Sequence, residues 1–137
     1  MAGTSVFVVD DDPQIPRLFS EALTRHGYSV RAATDGESAL KNLKKSKPEV
    51  IFLDLKLSGT DDLQTLEGIR GLHPDVPVII ITAYPRDPLV DNAIRMGVFA
   101  CLVKPLSMAH VLGILETLEI ERAPEPTTIA GPVTPKI

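Results

Sequence analysis

The sequence predicts an α/β fold, a doubly wound (βα)5 sandwich around a five-stranded parallel sheet, and three observations lead there. Short β-branched apolar runs recur between longer segments of helical period. Each switch is punctuated by Gly, Pro or Asp, which is the rhythm of repeated βαβ units. The most apolar runs, around Val50 to Leu53 and Val78 to Ile81, do not alternate, as suits strands covered on both faces.

Taken in order, Ser5 to Val9 is the first strand. It leads into Asp10-Asp11-Asp12-Pro13, where Asp12 is placed to cap a helix and Pro13 to occupy its first turn. Ile15, Leu18, Phe19 and Ala22 then repeat at helical spacing until His26-Gly27. Pro16 removes a donor just as that ladder begins, so an irregular start is expected. Ser29 to Ala32 is a short second strand. Thr34-Asp35-Gly36-Glu37 has the form of a capping box opening the helix that carries Ala39, Leu40 and Leu43, and Pro48 ends that segment.

The third strand, Val50 to Leu53, delivers Asp54. After a loop from Lys56 to Thr60, a third helix presents Leu63, Leu66 and Ile69 on one face, with Pro74 and Pro77 bracketing its exit. Val78 to Ile81 is a central strand ending at Thr82. Asp87 as cap and Pro88 in the first turn start the fourth helix late, and Gly97 closes it. Phe99 to Val103 is the fifth strand, ending at Lys104-Pro105, and the last helix shows Met108, Val111, Leu112, Leu115 and Leu118 at helical spacing. Five strands and five helices are complete by about Glu121, so residues 1–121 form one domain. The stretch 122–137 carries Pro124, Pro126, Pro132 and Pro135 and too few apolar residues for a core; it reads as a disordered tail or a truncated linker.

Composition narrows the function. The 137 residues, 44% apolar and 23% charged, suit a single soluble globular domain. A net charge of -4 with no long basic run argues against nucleic acid as the domain's own ligand. Lys41, Lys44, Lys45 and Lys47 read as a solvated helix end whose cations suit the negative pole of the helix dipole. The single Cys101 excludes an intramolecular disulfide and fits a reducing compartment. No apolar run approaches the roughly 20 residues of a membrane span, and the expected location is the cytoplasm. His26, His73 and His110 lack metal-ligand spacing, and none reads as catalytic.

Chemistry gathers at the carboxyl ends of the strands: Asp10 and Asp11 after the first, Asp54 after the third, Thr82 after the fourth, Lys104 after the fifth. An isolated strand-ending Asp more often caps a turn than attacks anything. In a sheet of order 2-1-3-4-5, however, the first and third strands flank the switch point, and three carboxylates converge there. Like charges so close call for a cation, and clustered oxygens with room for water suit Mg²⁺. Lys104 and Thr82 add a positive charge and a hydroxyl donor, which a phosphoryl group needs. Asp54, standing singly on a central strand, is the candidate nucleophile for an aspartyl phosphate, with Asp10 and Asp11 as candidate metal ligands.

Four segments together, Phe7-Val8-Val9-Asp10-Asp11-Asp12-Pro13, Ile51-Phe52-Leu53-Asp54-Leu55, Ile80-Ile81-Thr82-Ala83 and Leu102-Val103-Lys104-Pro105, resemble the receiver domain of two-component response regulators. The resemblance covers about residues 4 to 120 and implies the flavodoxin-like, receiver type of the fold. It implies that Asp54 accepts phosphate from the phosphohistidine of a sensor histidine kinase or phosphotransfer protein. It also implies that Asp10, Asp11, Asp54 and the backbone carbonyl of Lys56 hold Mg²⁺, that Thr82 and Lys104 bind the phosphoryl group, and that Lys104-Pro105 is cis. Such a domain is a phospho-acceptor in signalling, catalysing only its own phosphorylation and dephosphorylation. Its output would run through conformational change to an effector domain, a partner protein bound through the fourth and fifth helices, or a phosphorylation-dependent homodimer.

The departures from the family pattern are informative. Cys101 stands where an aromatic residue is usual, so the coupling of Thr82 to an inward-swinging ring lacks its ring; Phe99 is not expected to replace it, and Cys101 reads as a small apolar filler. Ser58 and Asp62 replace a common Pro and Gly, so the loop after Asp54 is expected to be shaped differently from the family's. Lys56 and Tyr84, each two residues past a site residue, are expected at the pocket mouth, either as modulators that prolong the phosphoryl state or as solvated surface side chains.

Two rival readings share part of this pattern. A phosphatase of the haloacid dehalogenase type needs a second Asp two residues after the nucleophile, and position 56 is Lys. A receiver-like binding module that has lost phosphorylation would lack part of the site, and all five residues are present.

Overall fold

The computed structural model describes residues 4–55 and 63–122. Strands β1 (Ser5–Val9), β2 (Ser29–Ala33), β3 (Val50–Asp54), β4 (Val78–Thr82) and β5 (Ala100–Val103) form one parallel sheet in the order β2-β1-β3-β4-β5. Helices α1 (Gln14–Thr24), α2 (Gly36–Lys45), α3 (Gln64–Leu72) and α4 (Pro88–Arg95) connect them. These elements lie in a unit that runs to Leu106; α5 (Met108–Arg122) lies in a second unit from Ser107. The expected doubly wound α/β fold and strand order are those observed.

The pleat explains why the central strands are apolar throughout. In β1, β3 and β4, Phe7, Val9, Ile51, Leu53, Val78 and Ile80 point to one face and join Leu43 of α2, Leu66 and Ile69 of α3 and Val90 of α4 in one buried cluster. Phe52 points to the other face, where Phe19 of α1 meets it edge-on, ring centroids 4.9 Å apart. Such a pair adds about 1 kcal/mol beyond the area it buries.

Local chemistry sets the boundaries. The Asp12 carboxylate accepts from the Gln14 N–H at 3.0 Å in the turn before α1, but the cap position itself is Pro13, one residue later than expected. Pro16 falls in the first turn, where a backbone N–H would have no partner within the helix, so the helix continues through it. The expected irregularity is confined to a long first bond, Arg17 N–H to Pro13 O at 3.4 Å. The cap of α2 is Asp35 rather than Thr34: its carboxylate accepts from the Ser38 N–H at 2.7 Å and from the Ser38 hydroxyl at 3.1 Å. Asp87 caps α4 through the Leu89 N–H at 2.9 Å, with Pro88 following it. Gly27 and Gly97 take positive φ, 88° and 89°, to end the segments of α1 and α4.

Strand β5 starts at Ala100 rather than Phe99, although the Phe99 N–H still donates to Val78 O. In α5, Val111, Leu115 and Leu118 are buried at helical spacing, and Ser107 caps the helix by accepting from the His110 N–H. No helix among the described residues is long and apolar enough to cross a membrane.

Candidate functional site

The register of the sheet assembles the site. Val9 pairs with Leu53, so the chain leaves β1 at Asp10 beside the end of β3 at Asp54; Asp54 in turn pairs with Ile81, one residue before Thr82. Thr82 pairs with Val103, and the Lys104 N–H donates to Thr82 O at 2.9 Å, which places the lysine at the same edge.

Asp10 is fully buried. Its N–H donates to Ala33 O, and its Oδ1 accepts from the Asp12 N–H at 2.9 Å, so one carboxylate oxygen is fixed by the turn into α1. The other, Oδ2, is buried without a hydrogen bond, although Lys104 Nζ lies 3.1 Å away as an ion pair. Asp54 is 4% exposed and accepts from Lys104 Nζ at 3.1 Å. One ammonium group therefore bridges two buried carboxylates from neighbouring strands. Asp11 completes the group: oxygens of Asp10, Asp11 and Asp54 all lie within 4.8 Å of one another.

Burial pushes the Asp10 carboxyl above the ordinary carboxylate range, and the like charge of Asp54 pushes the same way, against the Asp12 N–H and Lys104. Burial pulls the Lys104 ammonium down, but its bonds to Asp10 and Asp54 outweigh that, and the net displacement is upward. Among the described residues, three carboxylates face one ammonium here, a charge balance that suits a divalent cation. The donor set is all oxygen, as a hard ion such as Mg²⁺ prefers, and Asp10 Oδ2 is a buried acceptor with no hydrogen bond besides its ion pair with Lys104.

Thr82 is buried, and its Oγ1 accepts from the Tyr84 N–H at 2.9 Å. The hydroxyl thus keeps its proton for the pocket while tying down the loop that follows β4. Tyr84 is 61% exposed. Cys101 is half-buried against the sheet-face cluster, its thiol pushed up by burial, while Phe99 is exposed. The structure therefore brings together Asp10, Asp11, Asp54, Thr82 and Lys104, with Tyr84 on the adjoining loop and Cys101 away in the packing of β5. Lys56, Ser58 and Asp62 lie outside the described residues. The Lys104-Pro105 bond is cis. Sequence reasoning missed the bond from Tyr84 to Thr82, whose donor is a backbone group that no side chain signals, and the bonds of Arg70 to the carbonyls of Pro74, Val76, Met96 and Gly97.

The chain matches the family model of the response regulator receiver domain over residues 6–116. The nitrogen assimilation regulatory protein NtrX of Azorhizobium caulinodans is 35% identical over 123 residues, 85% of this chain and 27% of that protein. The transcriptional regulatory protein GlrR of Escherichia coli is 37% identical over 101 residues, 74% of this chain and 23% of that protein. This chain spans about a quarter of the length of such relatives. Among solved structures, NtrX from Brucella abortus superposes with a TM-score of 0.78 at 32% identity, covering 89% of this chain and 29% of that one. The receiver domain of a Pseudomonas aeruginosa sensor histidine kinase, solved with a magnesium ion in its active-site cleft, superposes with a TM-score of 0.76 at 26% identity, covering 85% of this chain and 97% of that one.

Proposed function

The chain belongs to the response regulator receiver domain family of two-component signalling, and we propose that Asp54 is its phospho-acceptor. The observation that carries this reading is the single ammonium of Lys104 held 3.1 Å from both Asp54 and Asp10 at the carboxyl edge of the sheet. Asp54 lies beside that charge, on a strand buried at every residue.

In the transfer, an Asp54 oxygen bonds to phosphorus as the phosphorus–nitrogen bond of a donor phosphohistidine breaks, and the leaving imidazole takes up a proton. Lys104 and the Thr82 hydroxyl receive the charge on the phosphoryl oxygens; removing such a group lowers the rate by about 10² or more. Asp10, Asp11, Asp54 and the Lys56 carbonyl would hold Mg²⁺, which when bound supplies further neutralisation of those oxygens. The chain catalyses only its own phosphorylation and dephosphorylation.

The partners implied are a sensor histidine kinase or phosphotransfer protein upstream and an effector domain, partner protein or second copy downstream, in the cytoplasm and without direct nucleic-acid or membrane contact. The domain is assigned to residues 1–121, with 122–137 as tail or linker. Lys56 and Tyr84 lengthen the life of the aspartyl phosphate by pairing with it and screening water; faster dephosphorylation in Lys56→Asn or Tyr84→Ala supports this, and no acceleration in either refutes it. With Cys101 in place of an aromatic ring, the coupling of Thr82 to such a ring lacks its partner.

The acceptor assignment is tested by intact mass after incubation with Mg²⁺ and acetyl phosphate. Wild type should gain one phosphoryl group and Asp54→Asn none. No gain on wild type, or the same gain on the variant, overturns it.

A further inference from the structure

Helix α2 and the turn after it carry Lys41, Lys44, Lys45 and Lys47, all exposed. Positions 41, 44 and 45 follow the spacing i, i+3, i+4, so three of the four share one face of the helix, opposite the buried Ala39 and Leu43. The helix dipole accounts for only part of this charge. Lys44 and Lys45 stand in the last turn, but Lys41 lies a turn earlier and Lys47 beyond the cap.

Other groups already close the helix. Asn42 O accepts from the Ser46 N–H at 3.2 Å and Leu43 O from His73 Nε2 at 2.7 Å. Among the described residues no ammonium of the four bonds a carbonyl of α2, and only Lys47 has an acidic partner, Asp75 at 2.8 Å. That pair is itself open to water, its side chains 53% and 67% exposed, and exposed pairs hold weakly. Lys41 and Lys45, four residues apart, repel each other. Most of this charge therefore serves neither the cap nor an ion pair.

The corner that displays it is firmly built. Arg31 of β2 donates through Nη2 to the Ser46 hydroxyl while its guanidinium lies 5.6 Å over the ring of Phe7. Gly68 of α3 lets Leu40 of α2 approach so closely that a Cβ there would lie 2.8 Å from it. The corner sits at the start of β3, whose far end carries Asp54.

We propose that Lys41, Lys44, Lys45 and Lys47 form a docking surface for an acidic segment of a partner protein, one that brings two or more carboxylates to these ammoniums. The proposal does not rest on the acceptor assignment. Scale selects the partner's class. The stripe from Lys41 to Lys45 rises only about 6 Å, and the chain around it carries a net charge of -4. A short acidic segment meets the corner alone, within the roughly 8 Å over which charge is felt at physiological salt. A nucleic-acid duplex or an anionic bilayer reaches past it and meets the acidic remainder of the surface. The side chains agree: lysines are compact charges on flexible stems, and Arg31, the guanidinium beside them, is already engaged by Phe7 and Ser46.

Amide shifts of the full, isotope-labelled chain test this. The probe is a short Glu/Ala peptide with its glutamates at helical spacing, and its control is the same peptide with Gln for Glu. The Glu peptide should shift the amides of residues 41–47 saturably, and the Gln peptide should not. Lys41→Gln/Lys45→Gln should weaken binding at least tenfold. Arg25→Gln/Arg95→Gln, which removes the same charge elsewhere, should leave it within twofold. No saturable shift at residues 41–47, or equal weakening by the two double variants, overturns the surface. A DNA duplex or phosphatidylserine vesicles shifting the same amides at lower concentration than the peptide overturns the class of partner. Phosphoryl gain from acetyl phosphate should be the same in both double variants as in wild type, whichever way the acceptor test falls.

Discussion

Strands β3 and β5 supply opposite halves of one pocket and are held in opposite ways. Every residue of β3 is buried and the strand has a neighbour on each side; β5 has four residues, a neighbour on one side only, and Val103 is 46% exposed. The first ends in the proposed nucleophile, the second in the cation that faces it. Elements with few buried contacts and open backbone are the ones that yield at low cost. Under the proposed transfer the difference is a division of labour: a carboxylate to be approached in line gains from a rigid base, whereas an ammonium that would follow charge from Asp54 to a phosphoryl oxygen gains from a pliant one.

The comparison breaks first if β3 is not the rigid member. Phe52 is fully buried and meets Phe19 edge-on, so Phe52→Ala should lower unfolding free energy by about 4 kcal/mol, read from urea melts. A loss under about 1 kcal/mol would mean that the site's base relaxes easily. Next comes the cation. Lys104→Met leaves Asp10 and Asp54 facing each other in a buried corner and should cost about 2 kcal/mol in EDTA, less than a fully buried pair because the Lys104 side chain is 25% exposed. Saturating Mg²⁺ should restore most of it, since a ligand bound only by the folded chain stabilises that state. A deficit indifferent to Mg²⁺ would show that the acidic group does not take the ion.

Asp10 sharpens the same contrast at a smaller scale. Its folded pKa is raised above the ordinary 3.8, chiefly by burial, so the folded chain binds the proton more tightly than the unfolded chain. The resulting stability is present below pH 3.8 and is lost as pH climbs through the higher folded value. Asp10→Asn should therefore be more stable than wild type at pH 7 in EDTA and should lack that decline. The gain should vanish in Mg²⁺, which the variant no longer binds well. A variant less stable than wild type in EDTA would place the value of Asp10 in its bond to Lys104 rather than in the cost of its burial.

Where these residues were legible in the sequence, local chemistry or strand pattern made them so. The strands showed because a parallel strand buried on both faces must be apolar throughout, and Asp54, Thr82 and Lys104 showed because each breaks such a run at its carboxyl end. Asp87-Pro88 marked α4 correctly because cap and first turn are adjacent in sequence. Thr34 and Asp35 were harder: both can cap, and only the extended backbone at Asp35 selects it. Arg70 was illegible for a deeper reason. Two of its four partners are carbonyls 26 and 27 residues away, and a backbone carbonyl carries no residue signature. The bridge from Lys104 to Asp10 likewise joins strands that are not neighbours, and follows from how the sheet brings its carboxyl ends together rather than from any spacing.

The smallest effect is expected at the outer face of β5, and it bears most directly on the contrast between the strands. Val103→Thr keeps the β-branch and nearly the volume while adding a hydroxyl, a change that is costly in a core because the hydroxyl must be desolvated. At 46% exposure that hydroxyl stays in water, and the shift in unfolding free energy should stay within about 0.5 kcal/mol, as for surface positions generally. The same melts that report Phe52→Ala would read it. A loss above about 1 kcal/mol would mean that something covers Val103 and that β5 is held from outside as firmly as β3 is from within. Lys104 would then sit on a rigid strand too, and its movement toward a phosphoryl group would have to come from its own side chain.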